Sequence, residues 1–240
     1  MHRSVWIVLT TFSTMNSPTS HHRPLRIGVW GAGNVARALA GAWTRAGHSV
    51  AVSSRSRTPA VDLAQSLGPG VSVGSFAEVT RGVDAVVVAL PWAAVDSVLD
   101  EVVSRDPESP DAESSSDDLA GVTIIDPTNP VVHAVGSHLL PTGSAADHIA
   151  SRIPAAHVVK AFNVYPAPTW ADVPDGVVVP IAGDDARALA LTSRLVGDVG
   201  ATAHVLGPLD RARQIEELAG AVIGLAFAGT DPRSAVPGLG

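Results

Sequence analysis

The residues whose types and spacing could do chemistry gather near the start of the chain. From Arg26 to Arg37 the sequence reads RIGVWGAGNVAR, and Gly31, Gly33 and Ala36 stand at the spacing G-x-G-x-x-A. The apolar run Ile27–Trp30 before them reads as a buried parallel strand, and a helical pattern follows from Asn34 to Ala46. That strand–turn–helix context is what a dinucleotide fingerprint requires; an ordinary tight strand–helix turn is the plainer alternative. Gly31 allows the tight turn. Gly33 has no Cβ, so a pyrophosphate can approach the backbone, and Ala36 lets helix and strand pack closely. The start of the helix offers free N–H groups and a positive dipole end to phosphates.

The second apolar run tells which nicotinamide cofactor would fit. An NAD site carries Asp or Glu about 20 residues beyond the glycines, where it accepts from the ribose 2′-hydroxyl. Here the end of that run reads Ser53-Ser54-Arg55-Ser56-Arg57, with hydroxyls and two guanidinium groups and no acid. An acid would repel a 2′-phosphate, whereas Arg binds it through charge-assisted hydrogen bonds. The residues favour NADP over NAD, against the alternative of a solvated basic turn.

The remaining elements must place the other rim of such a pocket. Strands are expected at Ser49–Ser54, Val71–Val73, Asp84–Leu90, Val122–Asp126, His157–Phe162, Val177–Ala182 and Ala203–Leu206. Helices are expected at Pro59–Leu67 with Thr58 as N-cap, from Pro91 to about Val103, at Ala145–Arg152, at Asp184–Val199 and at Leu209–Ala228; Phe76–Thr80 reads as a helical turn. Continuous apolar strands alternating with helices predict an α/β, Rossmann-type doubly wound, mainly parallel sheet with a small C-terminal α/β extension. Four segments follow: 1–24 disordered, 25–166 a nucleotide-binding domain, 167–229 a small substrate or dimer part, and 230–240 a flexible tail. The acidic, Ser- and Pro-rich stretch Ser104–Asp118 reads as a solvated loop.

In such a sheet, ligands sit beyond the carboxyl ends of the strands. Three ends stand out: Ala89-Leu90-Pro91-Trp92, Asp126-Pro127-Thr128-Asn129-Pro130 and Phe162-Asn163-Val164-Tyr165-Pro166. Asn129 and Asn163 can donate and accept beside a nicotinamide amide. Trp92 and Tyr165 are candidates for the pocket wall, with simple packing an equal alternative.

Composition excludes several classes. The formal net charge is −7, with no basic patch to bind nucleic acid, and no apolar stretch of membrane-spanning length occurs. Cysteine is absent, which removes disulfides, thiol catalysis and Cys-based zinc sites and suits the cytoplasm. No H-E-x-x-H motif is present. His133, His138 and His148 read as surface or packing residues, and His21 and His22 as part of the N-terminal tail, so no metal site is expected. Lys160, the only lysine, lies in a strand, so a catalytic lysine on a helix is missing; the shortage of lysine reads as a compositional habit. A short apolar run, Val5–Leu9, makes a weak secretory signal, and Met15 is an alternative start to Met1.

In order along the chain, IGVWGAGNVARALA, SSRSR, AVVVALPW, DPTNPV, SAAD, VVKAFNVYPAP, IAGDDARALALTSRLVGDVG and GPLDRARQIEELA resemble one family, the NADPH:coenzyme F-420 reductases. The nucleotide-binding part also resembles that of pyrroline-5-carboxylate reductase. The resemblance implies that Gly31, Gly33, Asn34 and Val35 hold the pyrophosphate and that Ser54, Arg55 and Arg57 hold the 2′-phosphate. It implies that Leu90, Pro91, Asn129 and Pro130 line the nicotinamide, with Ala161 and Asn163 beside it, and that a deazaflavin stacks over it under the last helix. In the characterised reductases a His stands in the place of Asn163 and an aliphatic residue in that of Tyr165.

Hydride transfer between two flat rings needs stacking and a short donor–acceptor distance rather than an acid–base pair. The leading expectation is therefore an NADP(H)-dependent oxidoreductase acting on a deazaflavin (F-420) or similar planar carrier. An NADPH-dependent reductase of a small carbonyl or imine and a non-catalytic NADP-binding redox regulator are the alternatives. The apolar helix Leu209–Ala228 is a candidate homodimer contact, or the cap of the domain.

Overall fold

The apolar runs form one eight-stranded sheet in the computed structural model, which describes residues 23–103 and 119–235. The expectations for residues 1–22 (including His21, His22 and the choice of start), for the loop 104–118 and for the last five residues lie outside the described residues. The strands are β1 (Arg26–Trp30), β2 (Ser49–Ser53), β3 (Val71–Val73), β4 (Ala85–Val88), β5 (Thr123–Asp126), β6 (His157–Lys160), β7 (Val178–Gly183) and β8 (Thr202–Gly207). Their order across the sheet is β3-β2-β1-β4-β5-β6-β7-β8. The strands β1 to β6 run parallel, β7 is antiparallel to β6, and β8 is parallel to β7. The chain leaves β1 toward β2 and β3, then returns to β4 on the other side of β1. The switch in strand order thus falls between β1 and β4.

Among the described residues six α-helices cover the sheet: α1 (Asn34–Arg45), α2 (Arg57–Leu67), α3 (Val95–Val103), α4 (Ala145–Arg152), α5 (Ala186–Asp198) and α6 (Ala212–Phe227). Successive strand residues point to opposite faces, so each run of Val and Ile feeds two cores. Val87, Ile125 and Val159 join Leu39, Trp43 and Leu63 of α1 and α2 on one face. Val86, Val88, Ile124 and Val158 join Val98, Leu99 and Ile149 of α3 and α4 on the other. The C-terminal part is bound in by specific contacts. Trp43 Nε1 donates to Leu195 O at 3.0 Å. His48 Nδ1 accepts from Leu25 N–H at 3.1 Å, which leaves the proton on Nε2 to face Asp198 at 2.9 Å. Among the described residues, no helix is long and apolar enough to cross a membrane.

Several boundaries differ from the sequence expectation for identifiable reasons. Ser56, not Thr58, precedes α2, and it makes no side-chain cap. Pro59 lies in the first turn, where a missing N–H removes no intrahelical bond, so the helix starts two residues early. Pro91 leads into a 3-10 turn, Trp92–Ala94, before α3 begins; Pro208 does the same at Leu209–Arg211 before α6. Asp185 caps α5 by accepting from the N–H groups of Arg187 and Ala188.

The strand β6 stops at Lys160 rather than Phe162, because Phe162 adopts a left-handed backbone, φ 65°. That region costs a non-glycine residue roughly 1–2 kcal/mol. Phe162 is held there by burial, with its ring edge-on to Trp43 at 5.8 Å and to Trp170 at 5.1 Å.

At the opposite ends of the strands, Asp84 accepts from Arg26 N–H at 2.8 Å and from the Arg23 guanidinium at 2.6 Å. Burial alone would raise its pKa, but these donors outweigh it and hold the carboxyl below its ordinary value. A carboxyl depressed in the folded state stabilises the fold above the ordinary carboxylate range, and that contribution is lost as pH falls from about 4 through the lowered value. Asp84→Asn should therefore flatten the acid limb of the stability curve in denaturant titrations below about pH 5; an unchanged acid limb contradicts this.

Candidate functional site

The switch in strand order opens a cleft of about 270 Å3, lined by Gly33, Asn34, Val35, Val88, Ala89, Leu90, Pro91 and Pro127. It lies between the β1–α1 turn and the ends of β4 and β5, where open parallel sheets place their ligands. Two further hollows are of similar size. One of about 300 Å3 runs along the outer face of α1, between Arg37, Arg45 and Ala171. Another of about 440 Å3 lies at the amino ends of β1 and β2. Neither combines a strand's carboxyl end with a glycine turn, so the chemistry favours the first.

The two glycines of the turn do different work. Gly31 has φ 123°, and a Cβ there would lie 2.2 Å from the Ala89 carbonyl oxygen. Its N–H donates to Ser53 O at 2.9 Å, which draws the end of β2 beside the turn. Gly33 has an ordinary φ of −81°, and a Cβ there would meet nothing within 4 Å. The fold therefore does not require glycine at position 33. Glycine there leaves the backbone open to a group approaching from the cleft. Gly33 also precedes α1 without a side-chain cap, so the first N–H groups of the helix, from Asn34 and Val35 onward, have no intrahelical acceptor and line the cleft. Such a terminus stabilises an anion by roughly 0.3–2 kcal/mol.

On one side of this turn, at the end of β2, Ser54 is half-buried and Arg55 and Arg57 are exposed to solvent. On the other side lie the ends of β5 and β6. Asn129 Nδ2 donates to Asn163 O at 2.8 Å, and Asn163 Nδ2 donates to Asn129 Oδ1 at 2.9 Å and to Ile215 O at 3.3 Å. With both its protons committed, Asn163 keeps one free end: its Oδ1 is buried and has no donor among the described residues. Pro130 and Ala161 are buried beside this pair.

The structure thus brings Gly33, Asn34, Val35, Leu90 and Pro91 to one cleft, flanked by Ser54–Arg57 and by the Asn129–Asn163 pair. Trp92 stands edge-on to His148 at 5.4 Å, and Tyr165 edge-on to Trp170 at 5.7 Å; both are half-buried in packing contacts outside the cleft lining. His133 packs on Phe227 at 5.0 Å, and His148 pairs with Asp96 at 2.6 Å. No group of three or more metal-ligating side chains occurs among the described residues.

Sequence reasoning missed the most unusual group. Lys160 is fully buried, and its Nζ lies 2.9 Å from Asp126 Oδ2 and 2.6 Å from Glu216 Oε1, two carboxylates that are also fully buried. It further donates to the Thr128 carbonyl. The lone lysine is thus an ion-pair hub rather than a mere compositional habit. One signal was available: a charge at the end of the otherwise apolar HVVKAF run can only be buried with partners.

The two glycines separate by substitution. Gly31→Ala should lower Tm by about 4 °C or more, since it adds both left-handed strain and a backbone clash. Gly33→Ala should melt within about 2 °C of the wild type. Equal melting of the two variants contradicts their different roles.

A family model described as NADP oxidoreductase, coenzyme F420-dependent, matches residues 26–130. The Metalloreductase STEAP3 of Rattus norvegicus is 33% identical over 197 residues, covering 80% of this chain and 36% of the rat protein. The chain therefore spans about a third of that relative's length. Among solved structures, a candidate F420-dependent NADP reductase from Arthrobacter sp. FB24 is 27% identical, with TM-score 0.72, over 87% of this chain and 96% of that one. A reductive aminase from Aspergillus terreus shares the fold at 20% identity and TM-score 0.60, over 86% of this chain and 64% of that one. The matched residues 26–130 carry the glycine turn and the ends of β1, β2, β4 and β5, and over that span the chain is similar to the NADP oxidoreductase, coenzyme F420-dependent, family.

Proposed function

We propose that the chain binds NADP(H) across the carboxyl ends of β2, β1, β4 and β5 and transfers hydride between it and a deazaflavin coenzyme or a similar planar carrier. The observation that carries this reading is the cleft lining. It combines the free N–H end of α1 with apolar side chains, and none of the residues lining it is ionisable. Gly33, Asn34 and Val35 would hold the pyrophosphate, and Ser54, Arg55 and Arg57 the 2′-phosphate. Following the sheet order, the dinucleotide would then extend toward Leu90, Pro91 and the Asn129–Asn163 pair. The buried, unpartnered Asn163 Oδ1 matches a carboxamide N–H donor there.

The nicotinamide, when bound, supplies or accepts the hydride. The protein's share is orientation and exclusion of water. Leu90, Pro91 and Pro127 present apolar surface, and the two asparagines fix the rim. A ring-to-ring hydride transfer needs nothing more from the side chains, whereas reduction of a carbonyl or imine calls for a proton donor.

Two measurements test this. NADPH should bind more tightly than NADH, and Arg55→Ala should weaken NADPH binding by about tenfold or more, the effect of losing one charge-assisted contact. Unchanged NADPH affinity in that variant overturns the 2′-phosphate assignment. Mixed with NADPH and oxidised deazaflavin, the protein should bleach the deazaflavin absorbance catalytically. Turnover of a cyclic imine without deazaflavin reduction, or tight NADPH binding with no acceptor reduced, overturns the choice of acceptor while leaving the cofactor in place.

A further inference from the structure

The buried charges of Lys160, Asp126 and Glu216 lie outside the cleft lining, and the chemistry proposed above does not use them. Three N–H donors of Lys160 meet three acceptors: Asp126 Oδ2, Glu216 Oε1 and the Thr128 carbonyl. Asp126 Oδ1 in turn accepts from the N–H and the hydroxyl of Thr128, at 2.8 and 2.7 Å. Glu216 also faces His138 Nε2 at 2.9 Å and accepts from the Ala145 N–H at the start of α4 at 3.0 Å. One cluster thereby fastens β5, β6, α4 and α6 together. An ion cluster of this kind adds little net stability over apolar packing, because desolvation offsets the attraction. Its use lies in fixing geometry.

The geometry it fixes is that of Asn163. The side-chain amide of Asn163 is oriented by two oxygens, Asn129 Oδ1 and Ile215 O. Asn129 follows Thr128, and Ile215 precedes Glu216, so both are one residue from a member of the cluster. Released from Glu216, α6 carries the Ile215 carbonyl away from the Asn163 amide; released from Lys160, the Thr128–Asn129 segment is freed as well. We propose that Lys160 and Glu216 are positioning residues, which hold the Asn163 acceptor in the direction that receives the nicotinamide end of the dinucleotide without touching it themselves. This rests on the nucleotide reading above.

The test compares two ligands on the full chain: NADPH, and 2′,5′-ADP, which has the 2′-phosphate but no nicotinamide. Glu216→Gln should raise the NADPH Kd by about fivefold or more and change the 2′,5′-ADP Kd by less than about twofold. Where this variant lacks a cooperative melt, Asp126→Asn/Lys160→Met/Glu216→Gln removes all three charges at once and should show the same split. Equal weakening of both ligands marks a merely structural anchor and overturns the proposal, as does no change in either. Failure of the wild type to bind either ligand overturns the nucleotide reading itself, and the positioning role with it.

Discussion

The cleft depends on how closely two backbones approach at Gly31. A Cβ at that position would lie 2.2 Å from the Ala89 carbonyl, so the β1–α1 turn can lie against the end of β4 only where no side chain intervenes. This contact sits at the switch in strand order. It aims the open end of α1 across the ends of β4 and β5 instead of into solvent. The same turn takes the Ser53 carbonyl through the Gly31 N–H, which brings the basic residues after β2 alongside. One steric constraint therefore gathers a helix terminus and an apolar rim at one cleft, with the guanidinium-rich turn after β2 flanking it.

The far rim is built by different means. There the chain leaves β6 through Phe162, whose left-handed backbone is held by Trp43 and Trp170. Strain of this kind persists only where the surroundings over-determine it, and it collects at functional positions. Immediately after it comes Asn163, and immediately before it, past Ala161, comes the buried Lys160. Aromatic packing on one face of the sheet and an ion cluster tied to α4 and α6 on the other converge on three or four consecutive residues. The C-terminal helix thus contributes to the rim through a carboxylate and a carbonyl set 52–56 residues away in sequence from Asn163 and Lys160.

Legibility in the sequence follows the range of the interactions. The glycine turn, the parallel strands and the basic end of β2 are local or periodic, and each could be read directly. The C-terminal α/β extension was legible for the same reason, although only the coordinates show that β7 reverses against β6 and continues the one sheet. The role of Lys160 was not legible, because its partners come from a neighbouring strand and from a helix far along the chain. The early end of β6 was hidden too: a Phe in left-handed backbone violates local preference and exists only by tertiary packing. Ser56 before α2 shows the smaller version, where a proline read as a helix start proved to occupy the first turn's interior.

A crystal structure with NADP+ tests the central claim most directly. The pyrophosphate should lie within hydrogen-bond reach of the Asn34 and Val35 N–H groups, over Gly33, with the 2′-phosphate toward Arg55 and the nicotinamide beyond Leu90 toward Asn163 Oδ1. A dinucleotide seated instead along the outer face of α1 between Arg37 and Arg45, or at the amino ends of β1 and β2, would contradict it.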